Sequence, residues 1–155
     1  MTTYSTTLYA NNIPSGTGHG DFDTSTHLHA VSGSISTWAA GDTINVGYLP
    51  RNAVVVGAIL KAASQLDTNG APTLTLSLGV SGATTLFKNA ITTVGRAAGV
   101  SADVTLAAAG ALYKNTSGAK IAVLVTVGAA AATPVAGTLE VDIEYYVEDL
   151  AASNP

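Results

Sequence analysis

The chain has 155 residues, of which 47% are hydrophobic and only 10% charged, with a formal charge of −4 and no cysteine. That length suits one domain with one core, and the charge is too scarce to dress an ordinary surface, so part of it is expected to be covered by other chains or wetted by Ser, Thr, Asn and Gly. Six basic residues stand singly at Arg51, Lys61, Lys88, Arg96, Lys114 and Lys120, which disfavours nucleic acid and anionic membrane as partners, and zero cysteines remove disulfides, thiolate catalysis and Cys-ligated zinc.

Residues 1–26, "MTTYSTTLYANNIPSGTGHGDFDTST", are rich in Thr, Ser, Asn and Gly, with Tyr4, Leu8, Tyr9, Ile13 and Phe22 isolated among polar neighbours. They lack the charged start and apolar run of a secretory signal, so synthesis in the cytoplasm is the expectation. The spacing predicts an extended N-terminal arm whose apolar residues dock on a neighbouring chain. The alternative is a first edge strand followed by a loose terminus.

From residue 27 onward, period-2 alternation dominates and helical period is nearly absent. It predicts strands near 28–36, 42–48, 53–62, 73–80, 84–88, 102–107, 120–127 and 137–148. Between them stand turn signals such as Gly41-Asp42, Pro50-Arg51-Asn52, Asp67-Thr68-Asn69-Gly70, Ser81-Gly82 and Asn115-Thr116-Ser117-Gly118. In "TLTLSLGV", Leu74, Leu76, Leu78 and Val80 share one face. "KIAVLVTV" is apolar on both faces, which places it centrally under a second layer or at a subunit contact; it is also too short to cross a bilayer. In "TLEVDIEYYVE", Leu139, Val141, Ile143, Tyr145 and Val147 point inward while Glu140, Asp142, Glu144, Tyr146 and Glu148 point outward. About eight short strands with this punctuation predict an all-β fold: an antiparallel, jelly-roll-like β-sandwich over residues 27–150, preceded by the arm and followed by a short tail at 151–155.

No constellation carries convincing chemistry. His27 and His29 are two apart on a strand, about 7 Å from each other on one side, and His19, Asp21 and Asp23 could complete a metal shell. The Glu that such a His-x-His site needs shortly afterwards is replaced by "AVSGSIS", and no histidine follows His29; solvated or hydrogen-bonded histidines are the reading. Glu140, Asp142, Glu144 and Glu148 lie on one wall with no opposing acid, unlike a glycosidase pair, and read as an outer face. "LDTNG" at 66–70 lacks the later ligands of a calcium loop and reads as a hairpin loop. No nucleophile elbow or P-loop occurs. Trp38 is a core or interface anchor, and Trp38, Tyr48 and Tyr146 are too scattered to make a sugar-binding face. The chain is therefore expected to be no enzyme and to carry no metal or other cofactor.

The run "WAAGDTINVGYLPRNAVVVGAILKAASQLDTNGAPTLTLSLGV" and the closing "AGTLEVDIEYYVED" resemble the head decoration, or cement, proteins of tailed bacteriophages over about half of the chain. The shared order is a Gly-Asp entering a strand, an apolar strand ending in Leu-Pro, a Val-rich strand, an Asp-bearing loop and an alternating strand ending in Leu-Gly. The resemblance implies a structural virion protein, often trimeric, that sits on the outer capsid surface and ties major capsid protein subunits together. Its motifs bring no catalytic residue. Candidate contact residues are Tyr4, Leu8, Tyr9, Ile13, Phe22 and Trp38. Tail or head-fibre subunits, and a carbohydrate-binding jelly roll, are the alternatives.

Overall fold

The computed structural model describes residues 3–8, 26–97, 101–103 and 106–148; for 3–8, 26 and 101–103 it describes the backbone alone. The strands are β1 (Thr3–Leu8), β2 (Thr26–Ser32), β3 (Thr43–Leu49), β4 (Ala53–Ala62), β5 (Thr75–Val80), β6 (Ala83–Ile91), β7 (Ser101–Asp103), β8 (Ile121–Ala129) and β9 (Leu139–Val147). Each of the eight predicted strands has its counterpart among β2 to β9.

Those eight strands pair as nested antiparallel hairpins: β2 with β9, β3 with β8, β4 with β7 and β5 with β6. Antiparallel pairing of β9 with β4 and of β8 with β5 folds this ribbon into two sheets, β2-β9-β4-β7 and β6-β5-β8-β3. This is a jelly-roll sandwich. β1 lies at the seam, where Thr3, Tyr4 and Ser5 run parallel to β3 and Thr6, Thr7 and Leu8 run antiparallel to β2. Part of the predicted arm thus hydrogen-bonds to its own chain's two sheets; the rest of it, and the tail at 151–155, lie outside the described residues.

The core is what alternation dictates. Ile44 and Val46 of β3, Leu76, Leu78 and Val80 of β5, Val123, Val125 and Val127 of β8, and Leu139, Val141 and Ile143 of β9 are all buried in one cluster. Burying each such side chain contributes about 1.5–3 kcal/mol. Three details depart from the pattern. Val147, predicted inward, is exposed, because it is the last residue of β9, opposite Ala53 where β4 begins. Ala122, Leu124 and Thr126, the second face of β8, are half-buried within this chain rather than covered by a full layer. The segment at 66–70 is no hairpin loop, because β4 and β5 belong to different sheets and the loop between them has to cross the sandwich edge.

Candidate functional site

The outer face of the β2-β9-β4 sheet holds the histidines and the acidic row. Register sets His27 opposite Glu144 and His29 opposite Asp142 on β2 and β9, and Lys61 of β4 opposite Glu140. His27 Nδ1 lies 2.7 Å from Asp142 Oδ1, His29 is 3.7 Å from Asp142 and 3.9 Å from Glu140, and Lys61 Nζ is 3.4 Å from Glu140. Partly exposed pairs of this kind contribute at most about 1 kcal/mol each. The carboxylates share one wall, so no acid faces another across a substrate-sized gap there. Among the described residues no group of three or more His, Asp or Glu is placed to hold a metal ion. His19, Asp21 and Asp23 lie outside those residues.

Asp67, part of the motif weighed for calcium, is fully buried and faces backbone instead. Its Oδ1 accepts from the N–H groups of Asn69 (3.3 Å) and Thr133 (3.0 Å), and its Oδ2 from those of Thr73 (2.8 Å), Leu74 (3.1 Å) and Ala132 (3.0 Å). Burial by itself would raise the carboxyl's pKa. The N–H groups of Thr133, Ala132, Leu74 and Thr73 outweigh it and hold the group well below the usual Asp range. Asp67 is therefore a clasp joining the β4–β5 crossing to the loop before β9.

The opposite end of the sandwich is fastened by Asn115, also fully buried. Its Nδ2 donates to the carbonyls of Pro50 (2.9 Å) and Ala119 (2.7 Å), and its Oδ1 accepts from the N–H (3.2 Å) and hydroxyl (2.7 Å) of Ser117. Its backbone N–H donates to Ala53 and its carbonyl accepts from Asn52, both at 2.9 Å. Asn52 itself has φ +59°, a left-handed position that Asn tolerates at a corner. Val55 N–H to the Tyr113 carbonyl (2.9 Å) and Glu148 N–H to the Asn52 carbonyl (3.1 Å) bring the 112–115 segment and the end of β9 to the same place.

This end carries exposed apolar side chains and cations together. Tyr48, Leu112, Tyr146 and Val147 are exposed there, as is Val56, the residue bulged out between Val55 and Gly57. Lys120 Nζ sits 4.7 Å from the centre of the Tyr48 ring, Lys114 pairs with Glu148, and Arg51 is exposed at the corner. Leu112 protrudes furthest, at 66% exposure, with φ +55°. It is held from both sides: Ala111 N–H donates to Ala107 (2.9 Å), Tyr113 N–H donates to Gly110 (3.2 Å), and the Tyr113 ring meets Phe87 edge-on at 5.8 Å. The sequence offered one hint of this fastening, the Asn-x-Ser of 115–117, in which an Asn side chain accepts from the N–H two residues on. Nothing local marked Leu112.

Of the predicted contact residues, Trp38 alone has a described side chain. Trp38 is 2% exposed, its indole N–H donates to the Val135 carbonyl at 2.9 Å, and its own carbonyl accepts from Ala131 at 3.1 Å; the ring is spent inside its own chain's core. Tyr4 and Leu8 fall on β1, where only the backbone is described. Tyr9, Ile13 and Phe22 lie outside the described residues.

No family model and no curated protein sequence matches the chain. Two solved structures do. One is a chain of the cyanophage Pam1 capsid asymmetric unit, 30% identical, covering 90% of this chain and 94% of that one with a TM-score of 0.63. The other is a chain of the capsid of Ralstonia phage GP4, 30% identical, covering 90% of this chain and 92% of that one with a TM-score of 0.68. At that identity over nearly the whole of each partner, this chain belongs to the phage capsid protein family that they represent, and it is a structural part of a virion.

Proposed function

We propose that the chain decorates and stabilises a phage head: made in the host cytoplasm, it assembles as a homotrimer on the outer capsid surface and ties together subunits of the major capsid protein. The observation that carries this reading is the near full-length likeness to two chains of phage capsids. The scarcity of charge supports it, since 10% charged residues suit a protein with flanks covered by other chains. So does the end that gathers exposed apolar side chains, because repeated copies of one modest contact become a durable attachment on a symmetric lattice. The carbohydrate-binding alternative is weakened by the burial of Trp38, the most capable stacking platform in the chain.

Gold labelling of a tagged chain in intact particles tests the reading. Dense, regular labelling over the head is the expected result, and a single axial or vertex position would replace decoration with a tail or head-fibre role. Light scattering of the isolated protein tests the trimer; a monomer both in solution and on the head would remove it.

A further inference from the structure

We propose that β1 is a shared strand: in the homotrimer, β1 of each copy lies in the seam of a neighbouring copy and completes that copy's sandwich. The proposal rests on the trimer and names the contact that holds it together. β1 is the element that bridges the two sheets, with Thr3, Tyr4 and Ser5 beside Thr43, Ile44 and Asn45 of β3, and Thr6, Thr7 and Leu8 beside Ser32, Val31 and Ala30 of β2. The other eight strands pair among themselves without it, so a sandwich that lacks β1 is left with two open strand edges at one seam, and an open edge is a template for another strand. The strand whose registers fit both edges is β1, and every copy carries one. Neither β1 nor the facing residues of β2 and β3 include a charged residue, so nothing there repels a second copy.

The connection behind β1 is far longer than closure on its own chain requires. β1 runs antiparallel to β2, and β2 extends four residues beyond Ala30, to Thr26, so the gap from Leu8 to Thr26 is about 15 Å. Seventeen residues, 9–25, join the two strands, where hairpin loops have about two to five. A chain of that length spans at most about 60 Å, and two domains of this size in contact have centres about 40 Å apart. The same connection therefore reaches a neighbour's seam. Exchange keeps every backbone hydrogen bond of β1, so its cost is that of bringing copies together, and within an assembled trimer the neighbour's seam is present at a roughly millimolar effective concentration. A strand from another protein would have to match both registers, parallel to β3 and antiparallel to β2, within six residues.

The test is a disulfide, in a chain with no cysteine to compete. Thr7 and Val31 are directly opposite across the antiparallel β1–β2 pair, where Cα atoms stand about 4.5–5.5 Å apart, inside the range that a disulfide bridges. T7C/V31C is oxidised as isolated protein and on assembled heads, then unfolded and sized without reductant. Linked chains at three times the chain mass are expected, and reductant should return them to single chains. Co-expression of T7C with V31C supplies a second readout that does not depend on the double variant's folding: linked pairs are expected from the mixture and none from either variant alone. If the assembly is a trimer by light scattering and all chains run singly in both experiments, each β1 closes its own seam, and the exchange is overturned with the trimer intact. If the wild type is a monomer in solution and on the head, the trimer falls and the exchange with it.

Discussion

Replacing Asp67 by Asn keeps size and shape and changes one acceptor oxygen into a donor. In the native protein two oxygens receive five backbone N–H groups, two at Oδ1 and three at Oδ2. Whichever way the amide turns, its NH2 faces at least two N–H groups that then have no acceptor. Each buried donor left unsatisfied costs about 1–3 kcal/mol, so with some relaxation the loss is about 3–5 kcal/mol, a large share of the roughly 5–15 kcal/mol that holds a domain folded. For a domain of this size each kcal/mol moves the melting temperature by about 2–4 °C, which puts the expected drop at roughly 6–20 °C. Calorimetry at neutral pH measures it directly. The pH dependence supplies a second check. Because the folded-state pKa is depressed, the carboxylate's contribution is complete above the ordinary Asp range near pH 4, and it is lost as the pH falls through that range and further below it. The gap between wild type and D67N should therefore be widest at neutral pH and narrow progressively in acid. A D67N protein melting within about 2 °C of wild type at pH 7 would refute the clasp, as would a gap that does not change between neutral and strongly acid solution.

Asn115→Asp places a carboxylate where Nδ2 now donates to the carbonyls of Pro50 and Ala119; urea unfolding should show a loss of about 3 kcal/mol or more, and Asn115→Ala a smaller one. Trp38→Phe removes the indole N–H bond to Val135 and leaves a void, so a destabilisation of about 1–3 kcal/mol is expected from chemical denaturation. Gly110→Ala would set a Cβ 2.5 Å from the Leu86 carbonyl oxygen and 2.8 Å from the Phe87 Cα; since backbone cannot yield as a side-chain tip can, hydrogen exchange at Ala107, Ala111 and Tyr113 should speed up as that loop lifts from β6. His27→Ala, by contrast, breaks only a pair that solvent reaches and should shift unfolding by less than about 1 kcal/mol.

Much of the scaffold was readable residue by residue. The strand at 53–62 was set between the turn signals Pro50-Arg51-Asn52 and Asp67-Thr68-Asn69-Gly70, and it folds over those residues. Leu139, Val141, Ile143 and Tyr145 were assigned inward by period alone and are buried, with Glu140, Asp142 and Glu144 on the other face. The acidic row was legible as an outer face and the two histidines as solvated or hydrogen-bonded, yet their pairing was not, since it depends on β2 lying beside β9 in a register that joins residues 115 apart.

The amino-acid order determined which segments are strands and which side of each is apolar, because a strand's period of two is a local property expressed within a few residues. Tertiary structure alone decided what the isolated polar residues do. Asp67 looked like a loop residue until the segment at 132–133 brought its N–H groups up to it, and Asn115 like a turn residue until the Pro50 corner came within its reach. Those two deciding partners lie 65 or 66 residues away, and a hydrogen bond over that distance exists only once the two sheets have closed on one another.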